Sequence, residues 1–307
     1  MRIVFMGTPD FSVPCLKALA DAGNEIAGVY TQPDKPRGRG YSMMPPPVKE
    51  EALKRGIPVF QPTTLRDEDV IAELRALEPE MIVVVAYGKI LPGEIIDMPR
   101  CGCVNIHASL LPEYRGAAPI QQAILDGKKV TGVTAQLMDT GIDTGDILMS
   151  SETPIEENET ADELHDRLSQ MGAELIVRVV DAARNGTLTR LKQDDSKATH
   201  VGKLTKEMSA IDFTQSAETV HNKVRGLNSW PGATAMLRGK RIKIHRTVIA
   251  KGEGRPGSVL SLSPLVVACG EGAVEIRELQ PEGKKRMEPG AFLNGLRVSD
   301  PGELEFS

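Results

Sequence analysis

The sequence holds no long hydrophobic run. Its first apolar stretch, residues 3–6, stops at Gly7, far too short for the core of a secretory signal. No stretch approaches the roughly 18 apolar residues that a membrane-spanning helix needs. An Arg- and Ser-rich, acid-poor leader is missing too, so a cytoplasmic protein is expected. Cysteine is scarce: Cys15, Cys101, Cys103 and Cys269 are the four in 307 residues, too few for a disulfide framework in a chain of this size. Cys101 and Cys103 stand near His107, but a second pair of ligands at zinc spacing is lacking. They read as small core residues beside a strand, and no metal is expected. The glycine signature of dinucleotide binding is absent as well. After the first apolar run comes Gly7-Thr8-Pro9-Asp10-Phe11-Ser12 rather than G-x-G-x-x-G, which removes the backbone cradle for a pyrophosphate and disfavours an NAD-dependent dehydrogenase. There is no P-loop and no internal repeat.

What is present is ordinary for a globular chain: 40% hydrophobic and 26% charged residues, with enough length for one large domain and a smaller one. The net charge of -5 hides an asymmetry. Residues 208–307 carry 14 Lys and Arg against 11 Asp and Glu, whereas residues 1–207 carry 23 against 31. Residues 238–246 hold Arg238, Lys240, Arg241, Lys243 and Arg246 with no acid among them. Local positive charge on an acidic protein attracts polyanions, although a solvated strand pair would look the same.

The first half alternates short apolar runs with helical patterns. Strands are expected at 3–6, 25–30, 81–86, 104–106 and 130–138. A helix is expected to end near Ala22, and further helical faces carry Ala52, Leu53, Ile71, Leu74 and Leu77. The continuous apolar run 81–86 suits a central parallel strand. Such alternation predicts an α/β fold with a doubly wound, mostly parallel, Rossmann-like sheet. Thr160-Ala161-Asp162-Glu163 has the form of a capping box, and its helix should run to about Asn185, before Gly186. Periodicity then fades, and residues 190–207 read as a linker. After one helix over about 216–227, short β-type runs at 233–237, 241–249, 259–262, 266–269 and 274–279 predict a small C-terminal β-barrel, OB-like in size. The expected division is 1–189, a linker over 190–207, and 208–307.

The chemistry concentrates in two runs. Asn105-Ile106-His107-Ala108-Ser109-Leu110-Leu111-Pro112-Glu113-Tyr114-Arg115-Gly116 follows a predicted strand, so Asn105 and His107, two apart, project to one side. Asp139-Thr140-Gly141-Ile142-Asp143-Thr144-Gly145-Asp146 follows the strand ending at Met138 and can bring a carboxylate close to His107. An amide and an imidazolium together can hold an oxyanion on a tetrahedral carbon. A nearby carboxylate raises the proton affinity of the histidine, fixes its tautomer and takes a proton from an attacking amine. No Ser or Cys nucleophile is needed, so the set suits direct acyl transfer to an amine. A histidine hydrogen-bonded for structural reasons and a plain Asp-Gly turn are the alternative readings.

These two runs closely resemble the folate-dependent formyltransferases. The resemblance extends over nearly the whole chain, through the GTPDFSVP opening, the basic loop Lys35-Pro36-Arg37-Gly38-Arg39-Gly40, AYGKILP, KLTKE, VHNKVRGLNSWPGA and ELQPEGKKRM. It implies 10-formyltetrahydrofolate as formyl donor and Asn105, His107 and Asp143 as the catalytic trio, Asp143 rather than Asp139 or Asp146 being matched to the aspartate of the family. It further implies that Ala86, Tyr87, Gly88, Ile90, Leu91, Pro92, Leu137, Asp139 and Gly141 hold the folate, with Ser109, Leu110, Leu111 and Pro112 shaping the wall beside the histidine. For Ile90 and Leu91, plain core packing is the competing reading. The basic loop and the C-terminal runs point to the branch of the family whose acceptor is initiator methionyl-tRNA. Lys35, Arg37 and Arg39 would then form a flexible segment that orders on phosphate, with Lys203, Lys206, Arg238, Lys240, Arg241 and Lys243 adding backbone contacts. A monomer is expected. Rival readings are formylation of a small amine, which leaves the barrel without a use, and a non-catalytic folate- or RNA-binding module.

Overall fold

A computed structural model describes residues 1–37 and 42–307. The chain divides into two compact units. One comprises Met1–Gly116, Thr131–Thr153 and His165–His200, the other Ala117–Val130, Pro154–Leu164 and Val201–Ser307.

The first unit is built on a seven-stranded sheet. Its strands are β1 (Arg2–Gly7), β2 (Glu25–Tyr30), β3 (Val59–Phe60), β4 (Met81–Val85), β5 (Cys103–His107), β6 (Val130–Leu137) and β7 (Ile147–Pro154). In space they run β7-β6-β5-β4-β1-β2-β3. The chain steps outward from β1 through β2 to β3, then returns to lay β4 on the other side of β1. These pairings, and that of β4 with β5, are parallel, whereas β6 is antiparallel to β5. The doubly wound, mostly parallel architecture expected from the alternation of apolar runs is therefore found.

Helices cover both faces, which explains why β4 (MIVVV) is buried at every position. On one face Val4, Met6, Ile82 and Val84 pack with Ile71 and Leu74 of α3 (Glu68–Ala76) and with Ile95 and Ile96 of α4 (Gly93–Ile96). On the other, Gly172 of α6 (Ala161–Arg184) sits against Ile106 and Cys15, the latter on α1 (Val13–Asp21). The short α2 (Pro47–Lys54) follows the basic loop. Cys103 shares the face of β5 that belongs to the first of these cores. Two and four residues on, the same face becomes polar with Asn105 and His107. The site thus begins where the core ends.

In the second unit, α5 (Pro119–Leu125) packs against α7 (Ala217–Gly226), with Leu125 and Ile124 lying on Gly226. A five-stranded sheet follows: β8 (Ala233–Leu237), β9 (Lys240–Ala250), β10 (Val259–Leu262), β11 (Leu265–Ala268) and β12 (Ala273–Pro281), in the order β8-β9-β12-β11-β10. Each neighbouring pair in that order is antiparallel. The last residues close the sheet: Phe306 bridges Leu237 at one edge while Glu305 bridges Ser258 at the other. Phe306 is buried among Phe213, Leu237, Leu304 and the apolar faces of the strands. Burying a side chain of that kind contributes about 1.5–3 kcal/mol. The barrel expected from the spacing of the β-type runs thus has a physical closure. Helix α8 (Pro289–Leu296) lies against β12. Among the described residues, no helix is long and apolar enough to cross a membrane.

Candidate active site

Asn105 and His107 stand on β5, opposite Gln136 and Thr134 of β6. His107 is buried, and its Nε2 donates to the carbonyl of Tyr114 at 2.8 Å. A backbone carbonyl can only accept, so Nε2 carries hydrogen. The other ring nitrogen, Nδ1, faces Asp143 Oδ1 at 3.6 Å.

The aspartate comes from the turn after β6, which folds back over the sheet. Asp139 builds the turn: its Oδ1 accepts from the Gly141 amide at 2.9 Å and from Thr144 Oγ1 at 2.6 Å. Gly145 is required by close approach, since a Cβ there would stand 1.8 Å from the Leu137 carbonyl oxygen. Asp143 itself has φ of 54°, the left-handed region, which an aspartate tolerates better than most residues. Its Oδ2 accepts from the Gly116 amide at 2.8 Å. Its Oδ1 accepts from Gln136 Nε2, also at 2.8 Å. The same Gln136 nitrogen reaches Asn105 Oδ1 at 3.2 Å, and Asn105 Nδ2 donates to the Val84 carbonyl at 3.1 Å. One N–H of Asn105 thus remains for a ligand. Asn105, His107 and Asp143 are brought together, and Gln136 ties two of them.

The residues assigned to the folate fall in three places. Ala86 and Gly88 are exposed, and Ile90 is 78% exposed, whereas Tyr87 and Leu91 are buried in the core beside α3 and α4. The Tyr87 carbonyl accepts from Thr8 Oγ1 at 3.0 Å and Gln32 Nε2 at 3.1 Å, which fastens this segment to the ends of β1 and β2. Burial pushes the Tyr87 phenol up to about 12, so it stays protonated. Pro92 caps α4. Ser109 is fully buried and donates to the Glu113 carbonyl at 2.6 Å. Thr134 binds the adjoining backbone, donating to the Ser109 carbonyl and accepting from the Leu111 amide. Leu110 and Pro112 are half-buried and Leu111 is buried. Leu137 is half-buried, while Asp139, Gly141 and Ile142 are exposed.

Of the basic residues, Lys35 lies at the start of a ribbon in which residues 35–37 pair with residues 42–44. Arg39 lies outside the described residues. Lys203, Lys206, Lys240, Arg241 and Lys243 are exposed. Arg238 is exposed too and meets Glu303 at 3.4 Å. The register sets Lys243 opposite Thr234 and Arg241 opposite Met236, so both cations stand on the outer face of β9. Burial lifts the thiol of Cys103 to about 12, as it does that of Cys15. No cluster of three or more His, Cys, Asp or Glu among the described residues could hold a metal.

Sequence reasoning missed Gln136, Arg115, Gln193 and the Gly116 amide. Gln136 left a trace, being a polar residue within a predicted strand. Gln193 left none, because it works on backbone groups distant in sequence.

Two family models match: formyl transferase over residues 1–180 and the formyl transferase C-terminal domain over residues 203–297. The methionyl-tRNA formyltransferase of Geotalea uraniireducens is 48% identical over 306 residues, 99% of this chain and 97% of the relative. That of Pelobacter propionicus is 49% identical over 300 residues, covering 97% and 94%. Among solved structures, the sugar 3N-formyl transferase WlaRD superposes with a TM-score of 0.70 at 19% identity, covering 93% of this chain and 99% of that one. HypX from Aquifex aeolicus in complex with tetrahydrofolic acid gives 0.63 at 19%, over 95% of this chain and 47% of that one. The structural likenesses bear on the fold.

Proposed function

The chain belongs to the formyl transferase family, and from that premise we propose that Asn105, His107 and Asp143 perform the transfer at the site built on β5 and β6. The chain is an enzyme that moves the formyl group of 10-formyltetrahydrofolate to the α-amine of methionyl-tRNA. The acceptor we assign is the initiator species. The observation that carries the catalytic assignment is the approach of Asp143 Oδ1 to His107 Nδ1 at 3.6 Å, with the other ring nitrogen committed to Tyr114.

Protonated at Nδ1, His107 presents a positive N–H toward the site, and Asn105 Nδ2 adds a neutral one. Together they hold the negative charge that grows on the formyl oxygen as the amine adds. Asp143 keeps the imidazolium oriented and takes the proton that the amine sheds, directly or through one water. The expelled nitrogen of the donor must regain a proton, and His107 Nδ1 is placed to return it. No covalent bond to the enzyme is required.

We assign the folate to the wall formed by residues 86–92, Ser109, Leu110, Leu111, Pro112, Leu137, Asp139 and Gly141. Exposed Ile90 and Ile142 suit an apolar ring system with a few polar anchors. Leu91, in the core, acts there by holding the segment. The transfer reaction is assigned to the first compact unit, which includes residues 165–200, and the tRNA to the basic residues Lys35, Arg37, Arg39, Lys203, Lys206, Arg238, Lys240, Arg241 and Lys243. A monomer working in the cytoplasm fits this reading.

The test is formyl transfer from 10-formyltetrahydrofolate to charged initiator tRNA, with elongator tRNA and small amines as competing acceptors. Transfer to the initiator species is expected, and Asp143→Asn should lower turnover on the order of 10²–10⁴-fold. Near-normal turnover by a folded Asp143→Asn protein removes the catalytic assignment. Preference for a small amine removes the acceptor.

A further inference from the structure

Asp143, read as the proton-handling carboxylate, has to be kept in place. A left-handed φ of 54° is unfavourable for a non-glycine residue, and a separation of 3.6 Å from His107 leaves little room for drift. The support comes from a side chain 50 positions downstream. Gln193, 5% exposed, uses its single amide nitrogen twice: Nε2 donates to the Asp143 carbonyl at 2.9 Å and to the Gly145 carbonyl at 2.7 Å. Both amide hydrogens are therefore spent on the backbone of the catalytic turn.

Which end of that amide faces the turn is decided by Arg115, 4% exposed. Its Nε and Nη2 donate to Gln193 Oε1 at 3.0 and 2.8 Å, and Nη2 also meets Asp195 Oδ1 at 2.7 Å. A guanidinium can only donate, so Oε1 must point to it and Nε2 must point to the two carbonyls. The amide cannot flip. The residue after Arg115 closes the grip, because the Gly116 amide holds Asp143 Oδ2. Arg115–Gly116 thus takes Asp143 from two sides, through Gln193 on its backbone and directly on its carboxylate. What is left is Oδ1, aimed at His107 and Gln136.

We propose that Arg115 and Gln193 are positioning residues that set the Asp143 carboxylate against His107, so that they act on the transfer step and leave substrate binding alone. The proposal rests on the functional reading of Asp143, but one of its tests does not. Gln193→Glu is the telling variant. It keeps, and strengthens, the acceptor for Arg115, yet loses both donors to the turn and sets a carboxylate against two carbonyl oxygens. If Gln193 served only to satisfy a buried arginine, Gln193→Glu would lose stability, while the folded protein would keep the kcat and the His107 resonance of wild type.

Expected for Gln193→Glu is a fall in kcat of roughly 10–100-fold, the scale of a displacement of about 1 Å in a catalytic group, with KM for both substrates unchanged. Gln193→Leu should match it if it folds. The second readout needs no substrate: in ¹⁵N spectra of histidine-labelled protein, the His107 Nδ1 resonance should shift in Gln193→Glu and in Asp143→Asn in the ligand-free state. A folded Gln193→Glu protein with wild-type kcat and an unmoved His107 resonance overturns the proposal, as does a loss confined to KM. Should wild type itself fail to formylate methionyl-tRNA, the functional reading falls, while the His107 resonance still decides whether Gln193 positions Asp143.

Discussion

At the scale of single residues, the site is a set of amides and glycines that leave each polar atom few choices. Gln136 must turn its nitrogen to the Asp143 carboxylate, and its buried Oε1 consequently has no partner among the described residues. That unmet acceptor is a cost accepted for holding Asn105 and Asp143 with one group. Gly145 is equally constrained. A Cβ there would fall 1.8 Å from the Leu137 carbonyl oxygen and 2.8 Å from its carbon, so Gly145→Ala must push the turn off β6. We expect a loss of about 1–3 kcal/mol in stability, as for other overpacked sites, together with a fall in kcat as Asp143 leaves His107. Thermal unfolding and steady-state kinetics on one preparation check both, and an alanine variant with wild-type kcat contradicts this role for Gly145. That Asn105 and His107 share one side was legible from the two-residue strand period, whereas the choice of Asp143 came from the family resemblance and not from any local pattern. Gln193 was not legible, since its partners are main-chain carbonyls of a turn that no local pattern links to it.

At the scale of elements, local pattern and observed structure agree best for short strands whose sequence is a mostly apolar or alternating run. Strand β2 and strand β8 have the expected limits of residues 25–30 and 233–237. The capping box at Thr160 is present, with the Glu163 carboxylate accepting from the Thr160 amide at 2.9 Å and the Thr160 hydroxyl near the Glu163 amide. Strand β7 escaped notice because ILMSSETP exposes much of its length and so lacks a buried period. Helix α8 escaped because two glycines interrupt its apolar face. Helix α7 carries a pH dependence. His221 donates from Nε2 to the Glu157 carbonyl at 3.0 Å and meets Thr247 Oγ1 through Nδ1 at 2.9 Å. Burial holds its proton affinity below the ordinary value of 6.5, and burial does the same for His245 on β9. The unfolded chain then binds more protons than the folded one below about pH 6.5. Stability from this source is complete above that pH and is lost as pH falls through it. Thermal midpoints measured between pH 7 and pH 5 should therefore decline, and His221→Asn should flatten the slope. A wild-type midpoint that stays level across this window argues against the assignment.

At the scale of the whole molecule, the assignment of tRNA contacts rests on charge carried by an acidic chain. The net charge of -5 repels a polyanion at long range, so binding must come from local clusters such as the outer face of β9. Arg241→Ala combined with Lys243→Ala should raise KM for methionyl-tRNA and reduce the log–log salt slope of binding by roughly 0.7–0.9 for each phosphate that no longer meets a cation. Affinity for the formyl donor should not change. An unaltered slope places the tRNA elsewhere. The division of the chain has another consequence. The second unit draws residues 117–130 and 154–164 from within the span of the first, and α5 finds its partner only when Ala217–Gly226 is available. On the ribosome, Ile124 of α5 emerges long before the helix that shelters it. Each nascent chain therefore passes through a stage with an apolar helix unshielded, a stage in which chaperone capture or self-association competes with folding.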